Sequence, residues 1–173
     1  MPAPRLSIRP ATPADLATIL AFVRGLAAYE RLAHEAVATE ADFAAALFGP
    51  RPHAEVVIAE ADGAPVGFAL FFPTFSTFTG RPGLWLEDLF VVPEARGQGT
   101  GTALLVHLAR LAVARGCARF EWSVLDWNEE AIRVYRALGA TAKDDWTTQR
   151  VDGDALTALA ARSTAADSGG SGA

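Results

Sequence analysis

Arg96-Gly97-Gln98-Gly99-Thr100-Gly101 constrains this chain more than any other six residues. The segment follows an apolar run, Leu84 to Val92, that Pro93 ends. It opens an alanine- and leucine-rich stretch whose apolar residues recur with helical spacing. A glycine turn between strand and helix lets the backbone approach a ligand closely and aims free N–H groups at it. The helix dipole adds partial positive charge, so phosphate oxygens are favoured there. Arg96 either adds a charged contact or serves the local structure. Spacing excludes two phosphate-binding signatures. A Walker loop closes on Gly-Lys-Ser/Thr, whereas this turn runs Gly101-Thr102-Ala103. A dinucleotide fingerprint needs its third glycine where Thr102 stands. A glycine turn without a ligand is the remaining alternative on spacing alone.

The rest of the chain reads as alternating strands and helices. Leu6 to Arg9 is a strand, and Thr12-Pro13-Ala14-Asp15 a helix start with a cap, a proline at the first helical position and an acid three residues on. Leu16, Ile19, Leu20, Val23, Leu26 and Ala27 continue that helix to Tyr29-Glu30-Arg31. Thr39 to Phe48 repeats the pattern and Gly49-Pro50 stops it. Val56 to Ala59 and Val66 to Phe75 form two arms about an Asp62-Gly63 turn, and Thr74 to Gly83 reads as a loop. A helix over Gly99 to Arg115 has a core face of Leu104, Leu105, Leu108, Leu111 and Ala112. A strand from Phe120 to Leu125, a helix from Asn128 to Leu138, a last strand from Trp146 to Val151 and a short helix from Asp154 to Ala161 follow. The expected fold is α/β, one mixed and mostly antiparallel sheet of six to seven strands with helices on both faces. One domain is expected over 1–162, with a small, polar and glycine-rich tail over 163–173.

Composition narrows the partners. The 173 residues are 51% hydrophobic and 20% charged, enough for a core, and the net charge is -5. Binding to nucleic acid or an anionic membrane needs a basic face, so neither is expected. Cys117 is the single cysteine, and His34, His53 and His107 show no ligand spacing, so no disulfide and no metal are expected. Nothing resembles a signal peptide or a transmembrane run, and the expected location is the cytoplasm.

From Leu84 to Ala140 the sequence resembles the GNAT superfamily of acetyl-CoA-dependent N-acetyltransferases. Arg96 to Gly101 matches its diphosphate-binding pattern, Arg/Gln-x-x-Gly-x-Gly/Ala. Within it the chain is similar to the diamine (spermidine/spermine) acetyltransferase group. That likeness is carried by Ile8-Arg9-Pro10-Ala11-Thr12, Leu26-Ala27-Ala28-Tyr29-Glu30, Gly67-Phe68-Ala69, Leu86-Glu87-Asp88, Leu125-Asp126-Trp127-Asn128-Glu129 and Tyr135-Arg136-Ala137-Leu138-Gly139-Ala140.

The resemblance implies acetyl-CoA as co-substrate and direct attack by the amine in a ternary complex, with no protein nucleophile. Arg96, Gly97, Gln98, Gly99, Thr100, Gly101 and Thr102 would hold the diphosphate. Backbone groups of Leu89, Phe90 and Val91 would pair with the pantetheine arm like an added strand, and one N–H there would serve the oxyanion. Asn128 and Ala131 would also meet the cofactor, although Asn128 equally suits a helix cap. Tyr135, seven residues after Asn128, would protonate the leaving thiolate. Glu87 and Asp88 are adjacent on a strand, so their side chains are expected on opposite faces. Glu87 would bind the substrate ammonium or take its proton through water, and its apolar neighbours predict a raised pKa. Tyr29, Glu30, Asp88, Glu121, Trp122, Ser123 and Asp144 would line the substrate channel, a carboxylate-rich wall suited to a cationic amine.

The expected activity is transfer of acetyl to a primary amine of a small cationic metabolite, either a polyamine or a thialysine-like amino acid. A protein or peptide N-acetyltransferase and a non-catalytic acetyl-CoA-binding regulatory module are the rivals, and Tyr135 argues against the second. A homodimer is implied by the family.

Overall fold

The computed structural model describes residues 5–162. Its backbone separates into two compact units, one reaching to Val134 and one beginning at Tyr135. The first holds a five-stranded sheet in the order β1-β2-β3-β4-β5: β1 Leu6–Pro10, β2 Glu55–Ala61, β3 Ala64–Ser76, β4 Arg81–Val91 and β5 Phe120–Trp122. The first three pairings are antiparallel and β4–β5 is parallel. A parallel neighbour needs a crossover, and α3, Thr100–Ala114, supplies it. The other helices are α1 Leu16–Tyr29, α2 Glu40–Phe48, α4 Glu129–Ala137 and α5 Gly153–Ala160.

Alternation along the strands sorts the core into two layers. Val56, Ile58, Phe68, Leu70 and Phe90 meet Ile19 and Phe22 of α1 and Leu47 of α2. Phe22 stacks on Phe68 at 5.7 Å between ring centres and lies 6.0 Å from Phe90. Val57, Ala59, Ala69 and Phe71 point the other way, where α3 buries Leu104, Leu105, Leu108 and Ala112. Full burial of a side chain such as Phe68 or Leu108 contributes about 2 kcal/mol. Helices therefore cover both faces, as expected.

Three expectations fail, each for a physical reason. Thr74 to Gly83 is not a loop: Thr74, Phe75 and Ser76 pair with Gly83, Pro82 and Arg81. This end of the β3–β4 hairpin extends past β2, so it lacks the one-sided apolar alternation of a core strand. Pro73 is accommodated because β2 pairing stops at Phe71, leaving β3 a free edge there. The strand expected over Phe120 to Leu125 shrinks to Phe120–Trp122, because β4 ceases to run beside it after Leu86. The strand expected over Trp146 to Val151 is absent, and the sheet has five strands among the described residues rather than six to seven. β-propensity without a partner edge makes no ladder. The expected tail over 163–173 lies outside the described residues.

Local signals set the entry to α1. Thr12 and Asp15 form the predicted capping box around a short 3-10 turn, Pro13–Asp15. Asp15, only 8% exposed, also receives both ends of the Arg9 guanidinium at 2.8 Å, while Arg9 Nε reaches Glu60 at 2.8 Å. The Arg9 side chain thus ties β1 to α1 and β2. Its hydrogen bonds hold the Asp15 carboxyl well below the usual carboxylate range. The ionised pair stabilises the fold above the ordinary carboxylate pKa of about 4, and that contribution is lost as pH falls below it. Asp15→Ala is expected to lower stability by about 2 kcal/mol at pH 7 in urea denaturation, with the deficit narrowing towards pH 2. An equal deficit at both pH values would contradict this account.

Candidate active site

The site is built on an irregularity in β4. Leu70 of β3 pairs with Asp88, but its neighbour Phe71 pairs with Leu86, so Glu87 is an extra residue in the ladder. Such a bulge bends its strand and shifts the alternation by one. Phe72, on the α1 face with Phe68 and Leu70, lies opposite Trp85, and the Trp85 indole N–H donates to a Glu87 carboxylate oxygen at 2.7 Å. Asp88, opposite Leu70, joins them on that face. The expectation that adjacent residues Glu87 and Asp88 point apart is thus overturned: the bulge turns both carboxylates to the α1 side.

Burial also reverses their expected characters. Glu87 is exposed and Asp88 half-buried. Removal from water, then the nearby charges of Glu87 and Glu30, push the Asp88 carboxyl up to about 6. Glu30, following the last residue of α1, is also raised by burial. Three carboxylates from two elements, Glu30, Glu87 and Asp88, therefore share one electrostatic environment.

Past the bulge β4 is paired on one side only. The β4–β5 ladder covers Leu84–Leu86 against Phe120–Trp122 and ends there. Val92 N–H donates to Val66 on the β3 side, so by alternation the peptide groups of Leu89 and Val91 face the open side and those of Phe90 face β3. Of the three residues expected to pair with the pantetheine arm, Leu89 and Val91 turn their backbone groups to the open side, where the Val91 carbonyl already accepts from Arg96 Nε. Phe90 instead gives its ring to the core.

The glycine turn sits at the end of this open edge. Gly97 and Gly99 have φ of 71° and 83°, and a side chain at either would point into open space. Gly99 caps α3, so the first N–H groups of the helix, from Thr100, Gly101 and Thr102, lack intrahelical partners. Thr100 is buried at the first helical position. A Cβ on Gly101 would lie 3.8 Å from Leu89 and 3.9 Å from Val91, ordinary contacts, so the helix start packs directly on the open-edged strand. Gln98 donates its side-chain amide to the Glu94 carbonyl at 3.1 Å. Arg96 has the contacts of a structural arginine, and its contact with a phosphate stays an expectation. Its Nε donates to the Val91 carbonyl at 3.0 Å, and its guanidinium lies 4.8 Å from the Tyr29 ring centre and 5.6 Å from that of Phe90.

Asn128 caps α4, accepting the Ala131 N–H at 3.3 Å, and also accepts the Tyr29 hydroxyl at 3.4 Å. Tyr29 and Trp127 rings are 5.9 Å apart. Tyr135 follows near the end of α4. Strand alternation sends Glu121, opposite Trp85, and Trp122, opposite Leu86, to different faces, so they do not share one wall. Glu121 is paired with Arg119 at 2.7 Å, Ser123 lies just past β5, and Asp144 is exposed. An open groove of about 610 Å³ runs along α3 from Gly99 and Thr102 past His107 and Arg110, and none of the carboxylates lines it. Sequence reasoning missed the bulge, Trp85 and Arg31, whose guanidinium lies 5.5 Å from the centre of the Trp127 ring.

A turn of free N–H groups, an unpaired strand edge leading from it and a carboxylate cluster beside that edge are what a long phosphorylated thioester and an amine need. Comparison with known proteins agrees. Residues 22–140 match the Acetyltransferase (GNAT) family. The chain belongs to that family. A thialysine N-epsilon-acetyltransferase of Mus musculus is 37% identical over 166 residues, covering 90% of this chain and 97% of that protein. L-ornithine N5-acetyltransferase NATA1 of Arabidopsis thaliana is 32% identical over 197 residues, covering 88% and 86%. Among solved structures, an integron cassette protein of V. cholerae superposes with a TM-score of 0.77 at 27% identity, covering 91% of this chain and 98% of that one. As a GNAT protein the chain is an acetyl-CoA-dependent amine acetyltransferase, and it fits the diamine acetyltransferase group. No described helix is long and apolar enough to cross a membrane.

Burial makes the folded chain hold the Asp88 proton more tightly than the unfolded chain does. Stability from this group therefore falls as pH rises from about 4 to about 6, and the loss is complete above that. Asp88→Asn, neutral throughout, is expected to raise Tm at pH 8 and to alter it little below pH 4. A lower Tm at pH 8 would contradict the assignment of a destabilising buried charge.

Proposed function

We propose that this GNAT acetyltransferase acetylates the primary amine of a small cationic metabolite by direct attack in a ternary complex, with Asp88 receiving the proton that the amine sheds. The half-buried Asp88 on the bulge carries this reading, because its pKa near 6 suits a base at neutral pH and its location is beside the open strand edge.

The residues present fit acetyl-CoA, whose activated thioester supplies the acetyl group. Backbone N–H groups at Gly99 to Thr102, with the α3 dipole, hold the diphosphate. Leu89 and Val91 bind the pantetheine arm with their outward peptide groups, and an N–H of this edge receives the developing oxyanion. Glu30 and Glu87 attract the ammonium. Asp88 accepts one of its protons, leaving a neutral amine and a protonated carboxyl. Tyr135 donates its phenolic proton to the departing thiolate, and the second proton that the nitrogen sheds as it becomes an amide restores the phenol. Relatives that act on thialysine and ornithine support an amine of this kind. The chain works as a homodimer in the cytoplasm. The exposed Trp146, Leu156 and Leu159 support a partner surface.

Thiol release with acetyl-CoA and a panel of spermidine, spermine, putrescine, lysine, ornithine, thialysine and a peptide tests the reading. Small amines are expected to release thiol and the peptide is not; release with the peptide alone would overturn it. Tyr135→Phe is expected to keep acetyl-CoA affinity by calorimetry while losing about 100-fold in kcat. Asp88→Asn is expected to abolish the acid limb of the kcat/KM profile. If Glu87→Gln removes that limb and Asp88→Asn preserves it, the base is Glu87.

A further inference from the structure

Arg31 breaks a local rule. α1 ends in a paired reverse turn, with Leu32 N–H donating to Ala27 at 2.8 Å and Arg31 N–H to Ala28 at 3.2 Å. The residue in Arg31's place takes left-handed backbone, here φ 63°, which glycine adopts freely and a long side chain does not. The only other non-glycine in that region among the described residues is Asp62, in a hairpin turn, a residue type that tolerates it. A long side chain in such backbone marks the position as a candidate for function.

That side chain is exposed, and its guanidinium lies over Trp127 at 5.5 Å. Trp127 in turn neighbours Tyr29, whose hydroxyl meets Asn128. Arg31 directly follows Glu30, one of the three clustered carboxylates. Arg96 is the cation over Tyr29, and its Nε is already given to Val91. A guanidinium lying over an aromatic ring keeps its in-plane N–H donors, a geometry that matches a carboxylate with two parallel bonds. A second ammonium of a polyamine would be repelled at the same place.

We propose that Arg31 recognises a substrate carboxylate, so that the preferred substrate is an amino acid with a primary amine at the end of its side chain rather than a polyamine. The side-chain ammonium enters among Glu30, Glu87 and Asp88, and the α-carboxylate rests on the Arg31 guanidinium. This deepens the amine-acetylation reading and rests on it.

Matched pairs differing only in the carboxylate test it: ornithine against putrescine, and lysine against cadaverine, each assayed by thiol release with the full chain and acetyl-CoA. The native chain is expected to favour the amino acid in kcat/KM by about tenfold or more in at least one pair. Arg31→Gly suits the left-handed backbone, so it is expected to raise Tm while lowering the amino-acid-to-diamine ratio at least about tenfold, chiefly through KM. Arg31→Lys should keep part of the preference and Arg31→Glu should reverse it. A native preference for the diamine in both pairs, or a ratio unmoved by Arg31→Gly, overturns the role of Arg31 while leaving amine acetylation standing. No thiol release with any amine overturns both.

Discussion

One extra residue in a ladder organises the site. Because Glu87 has no counterpart on β3, β4 bends away from β5 after Leu86 and its alternation shifts. The same event leaves the Leu89 and Val91 peptide groups without a neighbouring strand and turns Asp88 onto the α1 face beside Glu87. A regular strand could not do both. It would pair through to Val91, and it would place one of the two acids on the α3 side. Burying a carboxylate next to two others opposes folding, and the surrounding hydrophobic layers offset that cost. Phe22, Phe68 and Phe90 cluster on the same face of the sheet as Asp88, Phe22 stacking on Phe68.

Much of this architecture is legible in the residues. The two Thr-x-x-Asp starts form capping boxes at Thr12 and Thr39 as read, and Asp62-Gly63 makes its hairpin with both residues at positive φ. The glycine turn lies between strand and helix where the pattern put it. These features are legible because each is a local bargain, settled within a few residues. What stays hidden is settled by distant partners. Nothing within Leu86-Glu87-Asp88 announces a bulge, since it exists only relative to β3. The apolar flanks of Glu87 suggest burial, yet the acid that water abandons is its neighbour. Trp146 to Val151 has the composition of a strand yet pairs with no strand among the described residues.

Arginine chemistry divides labour around Tyr29. Arg96 spends its Nε on the Val91 carbonyl and its face on two rings, so it shapes the end of β4. Arg31 rests on Trp127 from the other direction. Two guanidiniums thus bracket the aromatic end of α1 without either meeting the carboxylates in an ion pair, which leaves those acids unneutralised. Had one of them formed such a pair, Asp88 would ionise far more readily.

Gly101 lies at ordinary packing distance from Leu89 and Val91, so the mouth of α3 and the open margin of β4 adjoin. On the proposed reading, a donor held by its diphosphate at this turn has its arm directed along the open margin of β4. On that reading, the spacer between diphosphate and acyl group has to match the run of β4 from the glycine turn to Asp88.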